Sequence, residues 1–200
     1  MSRDNVSTSR WASARWRASP NADERPAGEV SLIVLHAISL PPGEFGGDAI
    51  EALFTNRLDA AAHPFFARIA GVRVSAHFLI RRDGECVQFV EPERRAWHAG
   101  RSRWRDPQSE ALRQALNDFA VGIELEGDDE TPFTRAQYAR LAELVAWLEA
   151  RFTALDAARI TGHAHVAPLR KTDPGPAFDW AYFYQQRRRL SDSGGDDEPY

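Results

Sequence analysis

One segment of the chain, Thr161–Trp180, concentrates residue types that bind metal ions and transfer protons. Its sequence is T-G-H-A-H-V-A-P-L-R-K-T-D-P-G-P-A-F-D-W, which includes two histidines, a lysine and three prolines. Proline removes a backbone donor and interrupts helices and long strands, so the segment is predicted to be a stiff loop. Loops on an ordered scaffold often carry reactive groups. The segment is therefore the first candidate for a functional site, and its histidines and aspartate indicate a metal site.

A further histidine stands at the end of an apolar run. Val30–His36 is almost continuously aliphatic, which predicts a central strand covered on both faces. The end of such a strand is a common position for site residues in α/β proteins. A catalytic zinc takes three protein ligands, and His36, His163 and Asp173 are candidates by position. His163 and His165 would also share a face of a strand, so spacing alone leaves both ligand sets open.

Two further residue types in the chain could carry acid–base chemistry. Period-two alternation in the predicted strand Phe119–Gly127 places its aliphatic residues on one face and Glu124 and Glu126 on the other. Either carboxylate could act as a general base beside a metal, or could simply face solvent. Lys171 could stabilise an oxyanion, although a lysine is more often a plain surface residue.

The other elements are predicted from periodicity and turn residues. Val72–Ile80 and Cys86–Val90 form a predicted hairpin whose turn contains Asp-Gly. Ser109–Leu116 is predicted as a short helix. An apolar stripe predicts a long helix at Arg135–Phe152, preceded by a capping box of Thr134 and Gln137. A last helix is predicted at Asp179–Leu190.

Composition limits the protein class. The 200 residues suit one domain, here residues 29–190, preceded by a polar N-terminal arm (1–28) and followed by an acidic, disordered tail (191–200). Trp11 and Trp16 of the arm are expected to dock on the domain. The net charge of −4 argues against nucleic-acid binding, and no apolar run could span a membrane. A single cysteine, Cys86, and no apolar leader suggest a cytoplasmic protein, expected as a monomer.

Six segments in this order carry a family resemblance: V-L-H-A-I-S-L-P-P-G-E-F-G-G, A-H-P-F-F, R-V-S-A-H-F-L-I-R-R-D-G, R-A-W-H-A-G, N-D-F-A-V-G-I-E-L-E-G and the segment 161–180. Together they resemble the zinc-dependent N-acetylmuramoyl-L-alanine amidases, over roughly residues 15–190. The match is best to the cytoplasmic members that act on 1,6-anhydro-muropeptides in peptidoglycan recycling. The resemblance implies an α/β fold, a single domain with a mixed central β-sheet flanked by helices and a zinc groove above the sheet.

The resemblance also assigns roles that spacing left open. It sets His165 aside and selects Glu124 over Glu126 as the catalytic carboxylate. Lys171 becomes the residue that stabilises the transition state. The cofactor it implies is Zn2+, with three ligands: His36, His163 and Asp173.

Substrate contacts follow from the same resemblance. Arg73 matches a residue that binds a stem-peptide carboxylate, for which a guanidinium is suited. Trp97 offers a flat face for a sugar ring, and His98 is expected to line the same groove. Two positions depart from the family pattern: Ala37 stands where relatives carry asparagine, and Ala115 stands where they carry arginine.

The implied reaction is hydrolysis of the amide bond between N-acetylmuramic acid, preferably its 1,6-anhydro form, and L-alanine. Two alternatives are a muropeptide-binding module without activity and an amidase that acts on polymeric cell wall. The complete set of expected ligands weighs against the first, and the lack of a signal peptide weighs against the second.

Overall fold

A computed structural model describes residues 9–193, which form ten strands and five α-helices. None of its helices is long and apolar enough to cross a membrane. The strands are β1 (Arg15–Trp16), β2 (Ala22–Glu24), β3 (Leu32–Ile38), β4 (Phe78–Ile80), β5 (Cys86–Gln88), β6 (Arg94–Ala96), β7 (Arg103–Arg105), β8 (Leu112–Gln114), β9 (Ala120–Glu126) and β10 (Ile160–Gly162). The helices are α1 (Ala49–Phe54), α2 (Pro64–Ile69), α3 (Arg135–Arg151), α4 (His163–Val166) and α5 (Trp180–Ser193).

The main sheet has six strands in the order β1-β5-β4-β9-β3-β10. Strands β4, β9, β3 and β10 are parallel, β5 is antiparallel to β4, and β1 is parallel to β5. Two small two-stranded sheets, β2-β6 and β7-β8, lie outside it. The α/β fold with a mixed central sheet is therefore confirmed.

The predicted central strand is confirmed, but it begins and ends two residues later than the apolar run. β3 covers Leu32–Ile38, because β9 pairs with it along its whole length, as far as Ile38 opposite Glu126. His36 therefore lies within the strand, two pairs before the last one. The apolar run could not reveal this boundary, since it depends on a partner strand that is distant in sequence.

The two faces of the sheet pack against different elements. Ile33 and Leu35 of β3 share a core with Ile123 of β9 and with the buried sides of α3 and α5. Leu32 and Val34 pack in a separate cluster on the opposite face. The predicted alternation in β9 therefore holds, and His36 and Glu124 belong to the face turned away from the long helices.

Other predictions have mixed outcomes. The capping box is present, with Thr134 accepting from the Gln137 backbone and the Gln137 side chain accepting from the Thr134 backbone, and α3 ends one residue early. The hairpin also forms, but β4 begins only at Phe78. The helix predicted at 109–116 is wrong, because β8 in this stretch pairs with β7.

The N-terminal arm joins the fold from residue 9 onward. β1 adds an edge strand beside β5. Trp11 is only 8% exposed, and the centroid of its ring lies 6.3 Å from that of Trp147 in α3. The expected docking of Trp11 on the domain is therefore confirmed. At the other end α5 runs to Ser193, so residues 191–193 of the predicted disordered tail are helical. The rest of that tail and residues 1–8 lie outside the described residues.

Candidate metal centre and active site

Three donor atoms from distant parts of the chain converge on one point. His36 Nδ1, His163 Nδ1 and Asp173 Oδ2 lie 3.0 Å from one another in every pair. A tetrahedral zinc with ligand bonds of about 2.0–2.1 Å needs donor atoms about 3.3 Å apart. Two imidazoles and a carboxylate are also a donor set that zinc accepts. The arrangement therefore fits the expected metal, and it is the one such group in residues 9–193.

Strand pairing brings the two histidines together. β10 runs parallel to β3 with Gly162 opposite Leu35, so the next residue, His163, emerges beside His36. Asp173 is tied back to the same turn by its carbonyl, which accepts from Ala164 N at 2.7 Å. Gly162 is needed here, because a Cβ at this position would lie 2.8 Å from Pro174 Cδ.

The structure separates the two candidate ligand pairs. His163 begins the one-turn helix α4 rather than continuing the strand. A rotation of about 100° per residue places His165 on the other side of that helix. The His165 side chain is exposed, and its ring packs 6.0 Å from that of Trp180. His163 and His165 would share one face in a strand, but in the helix α4 their side chains lie on different sides.

The protonation states of His36 and Asp173 suit metal binding. Burial lowers the pKa of His36 to about 4, so its imidazole is neutral at pH 7. Burial alone would raise the pKa of Asp173, but its hydrogen bonds with His163 and His36 outweigh this and hold the pKa well below the ordinary value. Metal binding requires these forms, a neutral imidazole and an ionised carboxylate.

Glu124 lies beside the three donors with an unused oxygen. It is directly opposite His36 in the β3–β9 pairing, and the same face of the sheet carries both side chains. Glu124 Oε2 is buried and has no hydrogen-bond partner among the described residues. Burial, and next the charge of Asp173, raise the pKa of Glu124 well above its ordinary value, while Lys171 opposes the shift. An unpartnered carboxyl group with a raised pKa is suited to accepting and returning a proton.

Glu126, the other candidate carboxylate, is already occupied. Its Oε1 accepts from Gly46 N at 2.6 Å, and its Oε2 accepts from Arg82 N at 3.1 Å. Arg81 lies 3.7 Å away as an ion-pair partner. Glu126 therefore holds a loop and the hairpin against the strand end, and both of its oxygens are engaged.

Lys171 lies on the rim of a groove next to the donors. It is half-buried, and the groove of about 670 Å3 is also lined by Ala37, Asp129 and Asp173. The positive charge of Lys171 lowers the pKa of His36, and it limits the rise in the pKa of Glu124. A cation in this position can interact with negative charge that develops near the donors.

Comparison with known proteins assigns the family. The family model described as N-acetylmuramoyl-L-alanine amidase matches residues 26–176. The chain belongs to this amidase family. The 1,6-anhydro-N-acetylmuramyl-L-alanine amidase AmpD of Enterobacter cloacae is 53% identical over 180 residues, covering 90% of this chain and 92% of the relative.

Solved structures agree with the family assignment. A crystal structure of a selenomethionine AmpD derivative shares 53% identity with this amidase and superimposes with a TM-score of 0.84, covering 89% of this chain and 96% of the other. The Escherichia coli amidase AmiD, solved in complex with the substrate anhydro-N-acetylmuramic acid-L-Ala-D-gamma-Glu-L-Lys, is 26% identical with a TM-score of 0.56, covering 92% of this chain and 68% of AmiD.

The three residues expected to contact substrate have different environments in this amidase. Arg73 is exposed, precedes β4 instead of lying in a strand, and forms no hydrogen bond or ion pair within residues 9–193. Trp97 is half-buried, and its Nε1 donates to Asp23 Oδ1 at 3.3 Å. Both residues remain predicted substrate contacts.

His98 occupies a different place from the one expected. Its Nδ1 lies 3.0 Å from His36 Nε2, and its ring fills the space beside Gly122, where a Cβ would lie 2.4 Å from the ring. The His98 side chain also forms a hydrogen bond with the backbone of Ala120. His98 Nδ1 therefore lies against the ring nitrogen of His36 that points away from the three donors, and a contact of His98 with substrate remains a prediction. Spacing could not show the contact with His36, because it joins segments that are distant in sequence.

Sequence reasoning also missed a second groove. It has a volume of about 1090 Å3 and lies on the other side of α4, lined by His165, Ala115 and several arginines. The signal was present in the sequence as R-S-R-W-R at 101–105, where alternate residues of a strand point the same way. The arginines that line it are Arg101, Arg103, Arg105 and Arg170.

Proposed function

We propose that the protein is a zinc hydrolase that cleaves the amide bond between N-acetylmuramic acid, preferably the 1,6-anhydro form, and L-alanine of muropeptides. Its place would be peptidoglycan recycling in the cytoplasm. The observation that carries the proposal is the convergence of His36, His163 and Asp173 beside a buried carboxylate, Glu124, whose Oε2 has no hydrogen-bond partner within residues 9–193. The AmpD relative from Enterobacter cloacae, which is similar over 90% of this chain, supports a 1,6-anhydro-muropeptide as the substrate class. Monomeric state and the absence of nucleic-acid and membrane partners remain predictions.

Each site residue has a definite task in this reaction. Zinc, when bound, would polarise the scissile carbonyl and lower the pKa of a water molecule toward about 7. Glu124 then accepts a proton from the attacking water and returns it to the departing amine of L-alanine. The Lys171 ammonium stabilises the negative charge that grows on the carbonyl oxygen. His36, His163 and Asp173 would hold the metal.

The two alternatives make different demands on the site. A binding module without activity does not need a free carboxylate beside a complete donor set, yet Glu124 supplies one. An amidase of polymeric wall needs room for a glycan that continues in both directions, whereas an anhydro-muropeptide ends at its sugar. A substrate comparison separates these functions.

The test compares two substrates under two metal conditions. Purified protein is incubated with anhydro-N-acetylmuramyl-tripeptide or with intact sacculi, each with and without a chelator, and released peptide is quantified. We expect release from the soluble muropeptide, loss with chelator and recovery on adding zinc. No release from either substrate would exclude an amidase, and faster release from sacculi would favour the wall-degrading alternative.

A further inference from the structure

The two histidine ligands turn their outer ring nitrogens toward consecutive residues. His36 Nε2 lies 3.0 Å from His98 Nδ1. His163 Nε2 lies 3.3 Å from the carbonyl oxygen of Ala99. One short segment, His98–Ala99, therefore contacts both imidazoles on the side away from the donor atoms.

These contacts determine which ring nitrogen carries the proton. A histidine that offers Nδ1 to a metal must carry its proton on Nε2. The Ala99 carbonyl can only accept, so it fixes His163 in this tautomer. His98 Nδ1 must accept from His36 Nε2, which places the proton of His98 on its own Nε2. Partners of this kind orient metal-binding histidines and strengthen them as ligands.

The segment His98–Ala99 is itself fixed by the side chain of Asn117. Asn117 Oδ1 accepts from both backbone amides, His98 N at 3.2 Å and Ala99 N at 2.8 Å. The carbonyl of Asn117 in turn accepts from the buried Arg25 guanidinium at 2.8 Å. A side-chain carbonyl that binds two successive amides fixes both the position and the direction of the chain.

We propose that His98 and Asn117 are positioning residues of the metal centre, His98 by accepting from His36 and Asn117 by fixing the Ala99 carbonyl that accepts from His163. The proposal rests on the zinc ligands of the proposed function and not on its substrate. Neither residue is one of the three metal donors. Their effect is to hold two imidazole planes so that both Nδ1 atoms meet Asp173 at one point.

The test measures zinc affinity by competition with a chelator, independently of hydrolysis. His98→Leu removes the acceptor, whereas His98→Asn keeps an amide oxygen near the Nδ1 position. Asn117→Leu removes the tie to the segment, whereas Asn117→Asp keeps two acceptor oxygens. Val145→Ala, a truncation of a fully buried residue in α3 remote from the donors, controls for lost stability. Thermal unfolding of the metal-free forms shows that each variant is folded.

We expect both leucine variants to bind zinc about 10- to 100-fold more weakly, both polar variants to recover part of the loss, and Val145→Ala to bind like wild type. Nitrogen-15 NMR of the zinc-loaded wild type should show His36 and His163 protonated at Nε2. Wild-type zinc affinity in His98→Leu, or equal losses in His98→Leu and His98→Asn, would overturn the role of His98. Wild-type affinity in Asn117→Leu would overturn that of Asn117. A wild-type protein that binds no zinc would instead refute the ligand assignment in the proposed function.

Discussion

At the residue scale, Glu124 and Glu126 show how neighbours decide what a side chain does. Both are buried carboxylates on β9, and alternation gives them the same face. Both oxygens of Glu126 accept from backbone amides, whereas Glu124 Oε2 has no partner in the part of the chain that the structure describes. A buried carboxylate without a partner is costly to the fold, so it is better explained by chemistry than by stability.

The two glutamates give a matched pair of variants. We expect Glu124→Gln to lower kcat about 10²–10⁴-fold without changing the bound zinc, because Glu124 is not one of the three donors. Glu126→Gln should keep most of the rate but lower the free energy of unfolding by about 1–3 kcal/mol, because an amide NH2 cannot accept from Gly46 or Arg82. Peptide release, metal analysis and urea unfolding measure these quantities.

The opposite pattern, with Glu126→Gln inactive and Glu124→Gln only less stable, would transfer the catalytic role to Glu126. Equal zinc loss in both variants would contradict the separation of Glu124 from the metal ligands.

At the element scale, β9 provides space as well as side chains. Gly122 is in the middle of this strand, where glycine is normally unfavourable because it packs nothing and loses entropy. The His98 ring occupies the position that a Cβ would take, 2.4 Å from it. The strand therefore leaves the space that allows His98 to reach His36.

Because the His98 ring fills the space beside Gly122, adding one methyl group at Gly122 should disturb the metal centre. We expect Gly122→Ala to displace the His98 ring and weaken zinc binding about 10-fold, because the partner of His36 Nε2 is moved. Gly71→Ala is the matched control, since a Cβ there has no neighbour within 4 Å among residues 9–193. Chelator competition measures both variants. Unchanged affinity in Gly122→Ala would mean that the His98 ring does not need its observed place.

At the scale of the whole molecule, one buried carboxylate joins three parts of the chain. Glu51 of α1 is 2% exposed. Its oxygens lie 2.7 Å from Arg15 of β1, 3.1 Å from Arg17 after it and 2.6 Å from Arg81 of the hairpin. Glu51 therefore fastens the N-terminal arm to the main sheet, a tie between segments that are remote in sequence.

The pKa of Glu51 gives this tie a pH dependence. Burial alone would raise the pKa, but hydrogen bonds from Arg15 and Arg81 outweigh it, and the pKa is below the ordinary value of 4.5. A carboxyl group with a lowered pKa in the folded state contributes stability above its unfolded value and loses it as pH falls. The contribution of Glu51 should therefore be complete at pH 7 and should decrease below about pH 4.5.

We expect Glu51→Gln to lower the free energy of unfolding at pH 7 by about 2–3 kcal/mol, because it removes the buried negative charge that Arg15, Arg17 and Arg81 share. The difference from wild type should shrink as the pH falls below 4.5. Glu85→Gln is the control, since Glu85 binds the same Arg15 and Arg81 from a side chain that is 40% exposed; its effect should stay below about 1 kcal/mol. Urea unfolding of the metal-free proteins measures both, and a difference that stays constant with pH would contradict the assignment.

The sequence by itself determined the local features of this protein. The capping box and apolar stripe of α3, the Asp-Gly hairpin and the aliphatic run of β3 depend on residues that are close in sequence, so periodicity and turn chemistry predict them. The residue types of the segment 161–180 likewise indicated a metal site, and the ordered motifs indicated the amidase family, which the comparisons confirmed.

Only the tertiary structure shows which of these residues lie together in space. The choice between His165 and Asp173 depends on a single helical turn at α4 and on the pairing of β10 with β3. The place of His98 behind His36, and the difference between Glu124 and Glu126, depend on hydrogen bonds between segments tens of residues apart. Such contacts leave no local period in the chain, because they are selected by packing of the whole sheet and not by the residues next in sequence.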